Sequence, residues 1–186
     1  MDPGNHIEST QRRVLLASTL LGAMAAAPAA ADEPPKTPMS ATVPLLAPKT
    51  EFVYEAIVNI APPMQLGQSP LGERRIVPIT GGTFEGPRLR GKVLPGGADR
   101  QLVRRDGARL LDALYELQTD DGAVITVHNK VLVNTPKDAP RYAFSTLEIT
   151  APEGSYGWLN NFVYVGSLDS LQPQRLAGVI RVFKLT

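Results

Sequence analysis
The sequence predicts an all-β fold: a single antiparallel β-barrel of about eight to ten strands, preceded by an export signal and a proline-rich linker. Three observations lead there. From Phe52 onward, short stretches rich in β-branched and aromatic residues place polar side chains at alternate positions, the period of a half-buried strand. Turn signals built from Gly, Pro and Asp punctuate these stretches. The chain also lacks cysteine, so stability must come from a buried core rather than from crosslinks.

The elements follow in order. Gln11-Arg12-Arg13 precedes an apolar run from Val14 to Ala27, and Ala29-Ala30-Ala31 stands just before Asp32. Paired arginines, an apolar segment and an A-x-A site make residues 1–31 a twin-arginine-like signal peptide, with cleavage expected after Ala31 and delivery to the periplasm. The apolar run is short for a span, and no later run approaches the length of a membrane helix, so stable membrane insertion after cleavage is not expected. Residues 32–48 form a linker in which Pro34, Pro35, Pro38, Pro44 and Pro48 deny the backbone donors that regular structure needs. The barrel domain is expected over residues 49–186.

Within it, Phe52–Ile60, Ala123–Asn129, Arg141–Ile149, Trp158–Val165 and Gly178–Leu185 read as strands. Asp120-Asp121-Gly122, Thr135-Pro136-Lys137-Asp138 and Pro152-Glu153-Gly154 read as turns, as does Asp106-Gly107. Ala108–Thr119 fits two periods. Leu110, Leu111, Leu114 and Leu117 have helical spacing, whereas Leu111, Ala113, Tyr115 and Leu117 alternate as a strand would.

Composition narrows the function classes. The net charge is +1, and the signal segment, with two acids and two arginines, is itself neutral. A dedicated nucleic-acid binder needs a clustered basic face. The basic stretch Arg88, Arg90, Lys92, Arg100, Arg104, Arg105 and Arg109 is interrupted by Asp99, Asp106 and Asp112, and reads as a solvated strand face. No thiol nucleophile, thiolate metal site or redox pair exists without cysteine. His128 is the one histidine after the signal, so a multi-histidine zinc site is excluded, and no Gly-x-Ser-x-Gly elbow is present. On a strand, His128 shares its face with Thr126 and points outward, while Val127 and Asn129 share the other face. Gly81-Gly82 and Gly96-Gly97 are not followed by a helix start and read as bulges or barrel corners, not phosphate cradles. No metal and no cofactor is expected.

The central block is distinctive. It runs Pro70-Leu71-Gly72-Glu73-Arg74-Arg75, Pro78-Ile79-Thr80-Gly81-Gly82-Thr83-Phe84-Glu85-Gly86-Pro87 and Leu94-Pro95-Gly96-Gly97-Ala98-Asp99, with Gly157-Trp158-Leu159-Asn160 late in the chain. Over about Glu51 to Leu185 this resembles the domain-of-unknown-function family numbered 3237. The resemblance implies a compact antiparallel barrel with a ligand-sized interior and no single reaction, and it favours a strand for Ala108–Thr119. The chain departs from the family's pattern at Arg100, where the family usually has Trp, and at Leu114, where it tends to have Arg. It departs again at Lys130-Val131 in place of Arg-Gly, and in a short Asn134–Arg141 connection.

The candidate site is drawn from groups that a closed barrel would bring inside. Glu85, if it points into an apolar interior, would be desolvated and would move protons near neutral pH; at a bulge it would instead be a structural acceptor. Tyr115 and Asn129 would polarise a bound oxygen. Asp99 and Asn160 add polar groups, and Trp158 adds an apolar wall; on alternation, Trp158, Asn160, Phe162 and Tyr164 share a face. Asp99 after two glycines also suits an Asx-turn. The leading reading is a binding module for a small organic ligand, apolar or aromatic. The alternatives are a cofactor-free lyase or isomerase using a buried carboxylate, and a structural or assembly protein. Homo-oligomerisation is left open by the sequence.

Overall fold
Short alternating strands joined by tight turns close into a barrel. The computed structural model describes residues 43–186; the segment expected to be a signal peptide, and the expected linker up to residue 42, lie outside the described residues. Residues 43–49 are exposed and carry no helix or strand. Ten strands follow: β1 (Thr50–Ile60), β2 (Met64–Ser69), β3 (Gly72–Glu85), β4 (Arg90–Val93), β5 (Ala98–Arg104), β6 (Arg109–Thr119), β7 (Val124–Asn134), β8 (Tyr142–Thr150), β9 (Tyr164–Ser170) and β10 (Ala177–Leu185). All pairings are antiparallel, in the order β1-β10-β9-β8-β7-β6, then β4 and β5 end to end as one stave, then β3. Pairing of β3 back onto β1 closes an eight-stave barrel, with β2 lying along the first half of β3.

Ala108–Thr119 resolves as strand. Leu111, Ala113, Tyr115 and Leu117 point inward and are buried, while Leu110 and Leu114 are exposed. β6 is hydrogen-bonded to β5 and β4 on one side and β7 on the other. That pairing, with burial of the alternating face, outweighs the local helical preference of leucine and glutamate. The glycine pairs sit where strands bend: β1 and β3 slip register between Asn59 and Ile60, beside Gly81. Gly107 (φ 86°) and Gly122 (φ 91°) occupy the tips of the β5–β6 and β6–β7 turns.

One strand differs from its sequence reading. Trp158–Val165 is not continuous strand; Gly157–Asn161 is a 3-10 turn, and β9 starts at Tyr164. Leu159 N–H donates to the Tyr156 carbonyl at 2.9 Å, closing the turn. Asn160 then takes the place of a strand neighbour: its Oδ1 accepts from Ala151 N–H at 2.9 Å and its Nδ2 donates to Ala151 O at 3.0 Å.

Eight staves enclose an interior that side chains nearly fill, or that admits one small ligand. This barrel is filled by side chains at one end and holds a cavity at the other. The end holding the start of β1 and the end of β10 is plugged by Tyr54, Phe84, Leu117, Ile125, Val127 and Leu159, all buried. Tyr164, pushed up to about 12 by burial, stays protonated and donates to Leu159 O at 2.8 Å, tying the 3-10 turn to the plug. Toward the other end the packing opens.

Candidate functional site
The inward faces of neighbouring strands align residues in levels. One level reads Val77 (β3), Asp99 (β5), Ala113 (β6), Asn129 (β7) and Leu147 (β8), each opposite the next. Ala113 is the small member. It stands between Asp99 and Asn129, so the wall is shallow where two polar groups flank it. Above the plug this leaves a cavity of about 140 Å³, lined by Val77, Asp99, Ala113 and Asn129 of this level together with Tyr115, Ile79 and Val58 among others. An apolar cavity of about 150 Å³ holds one benzene-sized molecule. Arg109, Arg141, Gln101 and Asp169 lie toward its mouth.

Four buried side-chain polar atoms lack a hydrogen-bond partner, the Tyr54 and Tyr115 hydroxyls, Asn129 Oδ1 and Ser145 Oγ, and of these residues Tyr115 and Asn129 line the cavity. Tyr115 is fully buried and Asn129 is 1% exposed, yet the Tyr115 hydroxyl and the Asn129 Oδ1 have no hydrogen-bond partner. Burial pushes the Tyr115 phenol well above its ordinary range, so it stays a neutral donor. Its ring is set by backbone packing: a Cβ on Gly97 would lie 2.6 Å from the Tyr115 Cβ, so no side chain fits there.

Asp99 lines the same cavity and is half-buried. Burial raises its carboxyl above the usual carboxylate range; the Gln101 amide and the Asp112 N–H oppose this, the Asp112 carboxylate adds to it, and Arg75 opposes it. The contacts are Gln101 Nε2 at 2.5 Å, Asp112 N–H at 3.0 Å, and Arg75 Nε donating to Gln101 Oε1 at 2.9 Å. A carboxyl held this way beside an apolar cavity is suited to exchange protons closer to neutrality than a free aspartate.

The predicted site residues therefore divide. Tyr115, Asn129 and Asp99 come together at the cavity. Glu85, Trp158 and Asn160 do not. Glu85 lies at the last position of β3 with its side chain exposed on the outside of the barrel, opposite Glu55, because strand alternation sends Phe84 inward instead. The apolar interior is on the other side of the sheet from it. Trp158 sits at the plugged end with the Arg88 guanidinium 4.2 Å above its ring, and Asn160 holds the 3-10 turn. His128 points outward as expected, 2.5 Å from Asp112. Among the described residues no cluster of three His, Cys, Asp or Glu side chains could hold a metal ion. Gln101 and Arg109 were missed by sequence reasoning. Arg109 was legible in part, since it shares the odd-numbered face of β6 with Tyr115; its place in a run of basic residues masked that.

The fold and site together define a closed antiparallel barrel with a small-molecule-sized cavity at one end. The family described as "Protein of unknown function (DUF3237)" matches residues 48–185, and the chain belongs to it. A UPF0311 protein of Clostridium acetobutylicum is 34% identical over 131 residues, 62% of this chain and 82% of that protein. The crystal structure of a conserved protein of unknown function from Rhodopseudomonas palustris superposes with a TM-score of 0.70 at 30% identity, covering 76% of this chain and 99% of that one. A hydroalkoxylation enzyme of Penicillium herquei, phnH, is 31% identical over 124 residues, 67% of this chain and 76% of that protein.

Proposed function
We propose that the barrel binds one small organic molecule, apolar in its body and carrying an oxygen group, in the cavity above Tyr115. The carrying observation is the pair of unpartnered atoms there, one donor (Tyr115 hydroxyl) and one acceptor (Asn129 Oδ1), within apolar walls. A buried polar group without a partner costs about 1–3 kcal/mol. A ligand hydroxyl that accepts from one and donates to the other recovers that cost while its ring covers Val58, Ile79 and Leu111. Phenol is the minimal probe. It is expected to bind the wild-type protein in ligand-observed NMR. Ala113→Phe, which puts a ring into the space between Asp99 and Asn129, is expected to weaken binding at least about tenfold, roughly 1.4 kcal/mol, while a cooperative thermal transition persists. Unchanged phenol affinity in that variant would refute the site.

A second reading is favoured by Asp99 and by the hydroalkoxylation enzyme among the relatives. In it, the bound molecule reacts by proton transfer. Adding an O–H across a C=C bond moves one proton from oxygen to carbon and forms one C–O bond, with no net oxidation. Asp99 in its ionised form accepts the hydroxyl proton and in its protonated form supplies the one that carbon receives; Tyr115 steadies charge on oxygen. The role that sequence reasoning gave Glu85 passes in this reading to Asp99.

The domain is further proposed to act after export, on the strength of the twin-arginine-like segment. Protein isolated from the native periplasm is expected to begin at Asp32 by N-terminal sequencing; an N-terminus at Met1 would overturn this.

A further inference from the structure
The proposed ligand has a charge that the cavity mouth specifies. We infer that, besides the oxygen group met by Tyr115 and Asn129, it carries an anionic oxygen group at the other end of its body, a carboxylate or an acidic enolate or phenolate, and that Arg109 receives it. The inference rests on the binding reading above and adds the substrate class.

Arg109 is the first residue of β6, on the same inward face as Leu111, Ala113 and Tyr115, and its direct cross-strand neighbours are Val103 and Val133. Neither neighbour offers a charge. The guanidinium is half-buried, lines the cavity, and has no hydrogen-bond or ion-pair partner among the described residues. The other charges at the mouth are committed elsewhere. Arg141 Nη1 donates to the Leu168 carbonyl at 2.7 Å and lies 3.8 Å from Asp169. Asp169 is held by Arg181 at 3.1 Å. Arg75 is taken up by Gln101. Arg75 and Arg141 each repel Arg109, and with burial they pull its proton affinity down, while Asp99 acts the other way. Asp99 and Asp169 line the same cavity, but neither lies within ion-pair distance of Arg109, so among the described residues the half-buried guanidinium keeps its donors free for an arriving anion. A guanidinium offers a planar fork that fits a carboxylate or a delocalised oxyanion.

Leu111 and Ala113 stand between Arg109 and Tyr115 on the same inward face of β6, so head and body contacts need not compete for the same atoms. A ligand with an anionic end and an apolar or aromatic body meets Arg109 first and the Asp99–Ala113–Asn129 level next.

The probes are benzoate and its neutral isostere benzamide, titrated by calorimetry into the wild-type chain, Arg109→Gln, Arg109→Lys and Arg100→Gln. Arg100 is exposed on the outer face and controls for loss of general positive charge. Benzoate is expected to bind wild type at least about tenfold more tightly than benzamide, the scale of one charge-assisted hydrogen-bonded pair. Arg109→Gln should erase that preference by weakening benzoate alone. Arg109→Lys should keep part of it, and Arg100→Gln should leave it whole. Equal affinity of the two probes for wild type, or benzoate binding unchanged in Arg109→Gln, overturns the anion assignment and leaves the binding reading standing. Failure of benzoate, benzamide and phenol alike overturns both. The wild-type comparison decides even if a variant does not fold.

Discussion
Gly82→Ala is expected to lower the stability of the barrel by about 3 kcal/mol, the range in which a forced backbone clash falls. Gly82 lies in β3 opposite Val58 of β1, in the pairing that closes the cylinder. Its φ is +145°, and a Cβ there would stand 2.0 Å from the Ile57 carbonyl oxygen. That neighbour is backbone in a hydrogen-bonded seam, so relief requires moving β1 away from β3. The substitution therefore strains closure itself rather than one side-chain contact. Thermal denaturation checks it, with an expected fall in midpoint of ~10 °C. Gly122→Ala is the contrast. Gly122 is at a turn tip with φ +91° and nothing within 4 Å of a Cβ, so it pays conformational strain alone, about 1 kcal/mol. A Gly82→Ala protein as stable as Gly122→Ala would mean that the β1–β3 seam gives way easily.

The same seam explains what the sequence made legible and what it hid. Period-2 alternation located β1, β7, β8 and β10, because each carries one face into the interior and one to solvent. It also located Tyr115 and Asn129, since inward position follows from parity once a strand is assigned. Parity fails at chain segments that are not strands. Alternation sends Trp158 and Asn160 to one face only along a continuous strand, and the 3-10 turn at Gly157–Asn161 breaks that alternation. Glu85 was conditional on pointing inward, and its neighbour decides that: Phe84 takes the inward position at the end of β3, so alternation leaves Glu85 outside. The cavity itself was not legible. It depends on Ala113 standing between Asp99 and Asn129, a cross-strand relation among β5, β6 and β7 that local pattern cannot supply. Arg109 was hidden by company: in a run of arginines and aspartates each charge looks solvated, although this one sits on the inward face.

Asp99→Asn separates holding a ligand from acting on it. If the cavity transfers protons, the variant is expected to lose turnover by at least about a hundredfold, the low end for removal of a general acid or base. It should retain phenol, whose contacts are to Tyr115 and Asn129. A phenol bearing an ortho allyl group is the minimal probe for ring closure by O–H addition, followed by chromatography of the cyclic ether. Absence of product with wild type removes the catalytic reading and leaves binding. A second readout needs no substrate. The folded Asp99 carboxyl is raised, chiefly by burial, so the folded chain holds this proton more tightly than the unfolded chain. The stability this contributes is fully present below the unfolded carboxyl value of ~4 and declines as pH rises through the higher folded value. Asparagine cannot titrate, so the difference in unfolding free energy between wild type and Asp99→Asn should shift in favour of the variant across that window, then level off. Arg75, Gln101, Arg109 and Asp112 surround the carboxyl and are present in both proteins, so their own contributions largely cancel in the difference. A flat difference from about pH 3 to about pH 8, roughly one unit below and four units above the unfolded value, would mean that water reaches Asp99 freely. The carboxyl would then have no reason to serve as a proton donor in this cavity.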